Sequence, residues 1–187
     1  MLFPRVCIAA LRCPTRSFTT IGGETIYVAA DGFGEELKNQ MVTHLKGRGH
    51  DVKDRGTDKY YVAAADVAKT IQSDSKGARG MLFCGTGMGV GIIANKFSGI
   101  RAATVENEVA ARASRAINDS NVLCMGGLVT TADDAAVIAD AWLEQQHRSP
   151  PVADESEAPA WGSSEVEDFL ANKWTEIDEI EKASRSS

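Results

Sequence analysis

A chain of 187 residues with 43% apolar and 25% charged side chains fits one soluble domain with a substantial core and leaves little room for a second. Its net charge of −6 argues against a nucleic-acid or anionic-membrane partner, and no apolar run approaches the roughly 18 residues that cross a bilayer. The cysteines Cys7, Cys13, Cys84 and Cys124 show no paired spacing of a metal site or disulfide framework, so a reduced compartment is expected.

Residues 1–23 carry Arg5, Arg12 and Arg16 with several hydroxyl residues and no acid. That composition predicts an organellar transit peptide, cleaved after Phe18, and hence a mitochondrial matrix protein. An untargeted tail, with a cytoplasmic or plastid location, is the alternative. The run Thr25–Ala30 ending at Asp31-Gly32 predicts a buried first strand. Apolar residues at 33, 37, 41, 42 and 45 predict a helix over Phe33–Lys46, closed by Gly47 and Gly49. A weak strand at 51–54, an Ala-rich helix over Tyr61–Ile71 and a buried strand at Gly80–Cys84 follow. Beyond the glycine loop come a helix near 90–96, a strand at 100–105, a helix at 107–116, a strand at 122–125 and a helix at 131–145. Alternation of strands and helices predicts a doubly wound, Rossmann-like α/β domain with a five-stranded parallel sheet, over residues 24–148. Pro150, Pro151 and Pro159 among acids mark a linker over 149–162. A C-terminal helix and tail occupy 163–187, with an apolar stripe of Val166, Phe169, Leu170, Trp174, Ile177 and Ile180 that needs a surface on its own domain or on a partner subunit.

In open α/β sheets ligands bind beyond the carboxyl ends of strands, so Asp31 and Cys84 are both expected at such a crevice. After Cys84, the glycines Gly85, Gly87 and Gly89 expose backbone N–H groups at a helix start, an arrangement that holds negative charge. The loop could equally bind a nucleotide phosphate, but it lacks the Lys-Ser/Thr of a Walker loop and follows the third strand, not the first. A thiol at a helix start has its thiolate favoured by the amides, which suits removal of a proton beside a carbonyl; the amides and the Thr86 hydroxyl would then hold the oxyanion. On residue type alone, Cys84 as a space-filling core residue is the favoured reading. The histidines His44, His50 and His147 are read as surface residues.

Four blocks change those odds: Val28-Ala-Ala-Asp-Gly-Phe-Gly-Glu-Glu-Leu-Lys38, Cys84-Gly-Thr-Gly-Met-Gly-Val-Gly-Ile-Ile-Ala-Asn-Lys-Phe97, Gly99-Ile-Arg-Ala102 and Ser114-Arg-Ala-Ile-Asn-Asp-Ser-Asn-Val-Leu123. In order and content they resemble the type B ribose-5-phosphate isomerases and the related galactose-6-phosphate isomerases. The resemblance implies a homodimer with its active sites at the subunit interface, a sugar or sugar-phosphate substrate, and no metal or cofactor. It implies Cys84 as the base between C1 and C2, with Thr86 and the amides of Gly85, Gly87, Met88 and Gly89 holding the enediolate. Asp31, Gly32, Tyr60 and Asn118 would lie against the sugar.

The pattern departs from the family where phosphate and ring are handled. Gly32 stands where a histidine is usual, Ile117 where the ring-opening histidine is usual, and Leu128 where an arginine is common; acidic Glu165, Glu167 and Asp168 occupy a helix that usually supplies arginines. A dianionic phosphate needs two or three charge-assisted donors, so these changes predict a sugar held without the usual phosphate clamp. Together with Lys59-Tyr60-Tyr61 and the segment after Trp161, they are similar to a divergent eukaryotic subgroup that includes the isomerase-like domain of a plant protein linked to DNA-damage tolerance. The acidic charge and the lack of a basic, aromatic-interleaved stripe still argue against nucleic-acid contact. Three functions remain open: an isomerase of another short sugar, a true ribose-5-phosphate isomerase, and a catalytically silent sugar-binding or interaction protein.

Overall fold

The computed structural model describes residues 24–149 and 163–185. The expected transit segment, all but the first residue of the expected linker, and the last two residues lie outside them. In chain order the elements are β1 (Thr25–Ala30), α1 (Glu35–Gly47), β2 (Asp51–Thr57), α2 (Tyr60–Ser73), β3 (Arg79–Cys84), α3 (Met88–Ala94), β4 (Ala102–Thr104), α4 (Glu108–Asn118), β5 (Val122–Gly126), α5 (Ala132–Glu144) and α6 (Ser164–Arg185). The strands form one parallel sheet in the order β2-β1-β3-β5-β4.

Period-two alternation divides the side chains between two covered faces. Ile26, Val28, Met81, Phe83, Leu123 and Met125 pack under α1, α4 and α5, with Leu37, Met41, Leu45, Ile138 and Trp142. Ala29, Leu82, Cys84, Val122 and Cys124 face α2 and α3, with Val67, Ala68, Ile71 and Val90. Each large side chain that is fully buried contributes roughly 1.5–3 kcal/mol by leaving water, so the two layers hold the sheet from both sides. From β1 the chain crosses one way to β2 and returns the other way to β3. The crevice of the sheet therefore opens between the carboxyl ends of β1 and β3.

β2 runs on to Thr57 and β4 is only Ala102–Thr104, against strands expected at 51–54 and 100–105, and two helices also differ from the sequence expectation. α1 starts at Glu35, not Phe33, because Asp31 Oδ1 accepts the N–H groups of Phe33 (2.9 Å) and Gly34 (3.0 Å) and turns the chain first. Along α6 only Leu170 of the predicted stripe is buried, while Phe169, Ile177 and Ile180 stay exposed. Around Lys173 the helix is tied to its own domain: the Lys173 ammonium donates to the Ile117 carbonyl, and Trp174 stacks against Arg101.

Candidate active site

Three loops meet at the carboxyl edge of the sheet. β1 pairs with β3 up to Ala30 opposite Phe83, and Asp31 N–H donates to the Phe83 carbonyl at 3.0 Å, which sets Asp31 at the crevice. Gly34 lies so close to β3 that a Cβ there would stand 2.5 Å from the Phe83 carbonyl carbon. Gly127 is equally confined, with its Cβ position 2.4 Å from the Phe33 oxygen. Its N–H donates to the Cys84 carbonyl (2.8 Å), and that of Leu128 donates to the Gly85 carbonyl (2.9 Å). The β1–α1, β3–α3 and β5–α5 loops are thus locked to one another around Cys84.

The Cys84 side chain leaves β3 on the α2/α3 face and is 5% exposed. Its sulfur accepts the N–H of Gly87 at 3.1 Å, a contact made possible by the left-handed turn at Gly87 (φ 76°). Thr86 is exposed, and its hydroxyl accepts the Met88 N–H at 3.4 Å. Helices α1, α2 and α3, which begin at this edge after β1, β2 and β3, have no side-chain cap, whereas Asn107 caps α4 and Thr131 caps α5. The first-turn amides of α3 consequently have no intrahelical acceptor and carry the positive end of its dipole. The Tyr60 ring covers Gly89, whose Cβ position would be 3.1 Å from Tyr60 Cδ2.

Asp31, Gly32, Tyr60, Cys84, Gly85, Thr86, Gly87, Met88 and Gly89 are therefore gathered at one edge. Asn118 is not among them. It is the last residue of α4, which runs against the strands and ends at the opposite edge, four residues before β5 begins. One chain cannot bring Asn118 to its own Cys84; a site with both needs two chains. The histidines also sit at that opposite edge, and none is a plain surface residue. His44 bonds Asp140 at 2.9 Å, burial lowers the His50 imidazole below its ordinary value, and His147 is half-buried beside Trp174. Each lies where a helix end folds onto the next element, a position that residue type does not reveal. Arg115 is buried and bound to Asp119 (2.8 Å) and the Ser120 carbonyl (2.7 Å).

Cys124 shares the face of Cys84, and its thiol is pushed up by complete burial and by the neighbouring Cys84. Cys124 pairs with Leu82 and Cys84 with Gly126, so the two cysteines are diagonal neighbours roughly 8 Å apart at Cα by strand spacing, too far for a disulfide. A cleft of about 520 Å³ lies not over Cys84 but at the amino edge of the sheet, lined by Arg79, Arg101, Arg115, Asp119 and Asn121 among others. Over Cys84 the rim is instead exposed and apolar: Phe33, Tyr60, Met88, Leu128 and Val129. Sequence reading had not singled out Gly34 or Gly127. Their only signal was glycine within four residues of a strand end.

The profile of the Ribose/Galactose Isomerase family matches residues 26–155. Over 159 residues the chain is 42% identical to the DNA damage-repair/toleration protein DRT102 of Arabidopsis thaliana, covering 84% of this chain and 50% of that one, so it spans half of the plant protein's length. It is 38% identical over 124 residues to a 4-deoxy-4-sulfo-D-erythrose isomerase of Clostridium sp. (63% of this chain, 77% of that one). To the ribose-5-phosphate isomerase B of Escherichia coli it is 40% identical over 127 residues (65% and 85%). Among solved structures, ribose-5-phosphate isomerase B of Clostridium thermocellum superposes with a TM-score of 0.72 at 34% identity, covering 86% of this chain and 99% of that one. The Mycoplasma genitalium ribose-5-phosphate isomerase B with bound ribulose-5-phosphate gives 0.71 at 29% identity, covering 84% and 96%. With seven-tenths of its length matched in order, and the first two sequence blocks folded into the strand ends and helix starts around Cys84, the chain belongs to the Ribose/Galactose Isomerase family.

Proposed function

We propose that the protein is an aldose–ketose isomerase in which Cys84 is the base, the amides at the start of α3 form the oxyanion hole, and the substrate is a short sugar in its open-chain form. The observation that carries this reading is the Gly87 N–H directed at the Cys84 sulfur from 3.1 Å, at the mouth of the crevice between β1 and β3. A thiolate there removes the proton from C2 of the aldose. The C2–H electron pair becomes the C1–C2 double bond, and the carbonyl electrons move onto O1, where N–H donors and the Thr86 hydroxyl stabilise the charge. The thiol returns the proton to C1, and a proton passes from O2 to O1 to leave the ketose. Asp31, held rigid by the two amides on its Oδ1, keeps Oδ2 for a sugar hydroxyl.

The short, open-chain substrate is supported by what faces the crevice. Leu128 is 70% exposed and packs on Gly85, giving an apolar wall where a phosphate clamp would need donors. Ile117 offers no imidazole for ring opening, and a tetrulose, whose C2 carbonyl has no hydroxyl placed to close a five-membered ring, or a tetrose substituted at position 4, stays open-chain without that help. The similarity to an isomerase of a four-carbon sulfosugar points the same way. We further propose a homodimer that sets Asn118 of one chain against Cys84 of the other, covering the apolar rim, and a mitochondrial address in residues 1–18.

The second reading is a true ribose-5-phosphate isomerase, favoured by the similarity to structures of that enzyme, one with ribulose-5-phosphate bound. Comparing kcat/KM for ribose 5-phosphate, ribose, allose, erythrose and erythrulose under one condition separates the two. Erythrose and erythrulose are expected to lead. A value above ~10⁴ M⁻¹s⁻¹ for ribose 5-phosphate, with the others far below, would establish the second reading instead, and no turnover of any sugar would favour a silent binding protein.

A further inference from the structure

At the edge of the sheet away from Cys84, three cations converge on one carboxylate. Asp119 caps α4 in the left-handed region (φ 45°); its Oδ2 accepts from Arg101 and its Oδ1 from Arg115, both at 2.8 Å. Lys173 enters from α6 and is bound through the neutral carbonyl of Ile117. The Arg101 guanidinium carbon lies 4.8 Å from the centre of the Trp174 ring, the Lys173 nitrogen 5.0 Å from it, and the His147 ring 6.4 Å from it. Across the neighbouring cleft the next carboxylate, Glu24, is already paired with Arg79 at 2.8 Å. The corner thus holds a local excess of positive charge in a chain whose net charge is −6.

A second observation falls on the same spot. Among the described residues, the buried side-chain nitrogens without a hydrogen-bond partner are Arg115 Nε, His147 Nε2 and Trp174 Nε1, and all three residues belong to this corner. Arg115 is only 7% exposed, so its unpaired N–H is a costly feature to bury without an acceptor. Arg101 and Arg115 also line the cleft of about 520 Å³, which gives an approach from solvent. The electrostatics agree: burial lowers both Lys173 and His147, Asp119 opposes the shift, and Arg101 adds to it in each case.

We infer that this corner, where the end of α4, the start of β5 and α6 meet, is a binding site for a small oxyanion, a phosphate, sulfonate or carboxylate group. Such a group supplies several acceptor oxygens to Arg101, Arg115, Lys173 and the indole N–H, and balances the positive charge that Asp119 leaves. Because one wall is α6, the bound anion also fastens that helix to the domain. The inference stands on these contacts and not on the isomerase reading.

The test uses the full chain and inorganic phosphate, with chloride at matched ionic strength as the control. Calorimetric binding and the thermal midpoint are followed for the wild type, Lys173→Gln and Arg101→Gln. Lys173→Gln keeps an N–H donor for the Ile117 carbonyl while removing the charge, so its fold in chloride should match the wild type. Saturable phosphate binding in the wild type, weakened roughly tenfold or more in each variant, is the expected result. Phosphate that acts no more strongly than chloride, or equally on all three proteins, overturns the site. Two supporting outcomes identify the source of the anion. A higher KM for a phosphorylated sugar in Lys173→Gln, with kcat unchanged, makes the corner a subsite for the anionic end of a substrate. An unchanged KM beside weakened phosphate binding makes it a site for a free anion.

Discussion

Gly34 and Gly32 are two residues apart and face opposite constraints. An alanine methyl at Gly34 would stand 2.5 Å from the Phe83 carbonyl carbon and 2.7 Å from the Cys84 nitrogen, and neither backbone can give way without moving the crevice. Gly34→Ala is expected to cost about 1–3 kcal/mol or more. Gly32→Ala meets nothing within 4 Å and should change stability by less than about 0.5 kcal/mol. Denaturant midpoints of the pair settle the matter, and equal stability of the two variants would show that the loops are not interlocked as described. The Cys84 loop was legible in sequence because its glycines alternate directly after a buried apolar run, a local pattern. The demand on Gly34 and Gly127 was not, because it comes from two loops crossing whose strands are far apart in the chain.

Among the elements, α6 has a docking contact that is sensitive to acid. His147 is lowered first by burial, then raised by Asp119 and lowered by Lys173, Arg115 and Arg101. A histidine depressed in the folded state holds fewer protons there than in the unfolded chain. Its contribution is therefore complete above the unfolded value near 6.5 and declines as pH falls from there toward the folded value. The thermal midpoint should drop between about pH 7 and 5, and His147→Gln should flatten that drop, leaving the part due to His50, which burial lowers in the same direction. An identical slope in the variant would remove His147 from the docking. The presence and order of the helices and strands followed from periodicity. The contact of α6 did not, because Lys173 and Trp174, and not the apolar stripe as a whole, make it. Helix starts shifted wherever a side chain captured the preceding amides, as Asp31 does ahead of α1.

For the whole molecule, alternating pattern gave a parallel doubly wound sheet, but not the insertion of β5 between β3 and β4. That order comes from packing among distant segments, and it decides which residues share an edge. Asn118 is found at the edge opposite Cys84 for another reason: it ends a helix that runs against the parallel strands. In the proposed homodimer a second chain would resolve the separation, and the exposed Phe33, Tyr60, Met88, Leu128 and Val129 offer it an apolar surface. Light scattering at micromolar concentration is expected to give the mass of two chains. In mixtures of Cys84→Ala and Asn118→Ala chains, part of the activity lost by each alone should return, since one of the two shared sites in a mixed dimer is intact. A single-chain mass, or no recovery on mixing, would refute the shared site.

The central claim is that Cys84 moves a proton on a sugar carbon, and hydrogen exchange at that carbon reads it without a coupled assay. The protein is incubated with erythrulose and separately with erythrose in D₂O, and deuterium at C1 and C2 is followed by NMR. The wild type should incorporate deuterium at the carbons that exchange a proton with the thiol. Cys84→Ser, which keeps the size but withholds a thiolate, should slow both exchange and isomerisation on the order of 10²-fold or more with the fold intact. Exchange in Cys84→Ser at close to the wild-type rate would contradict the account.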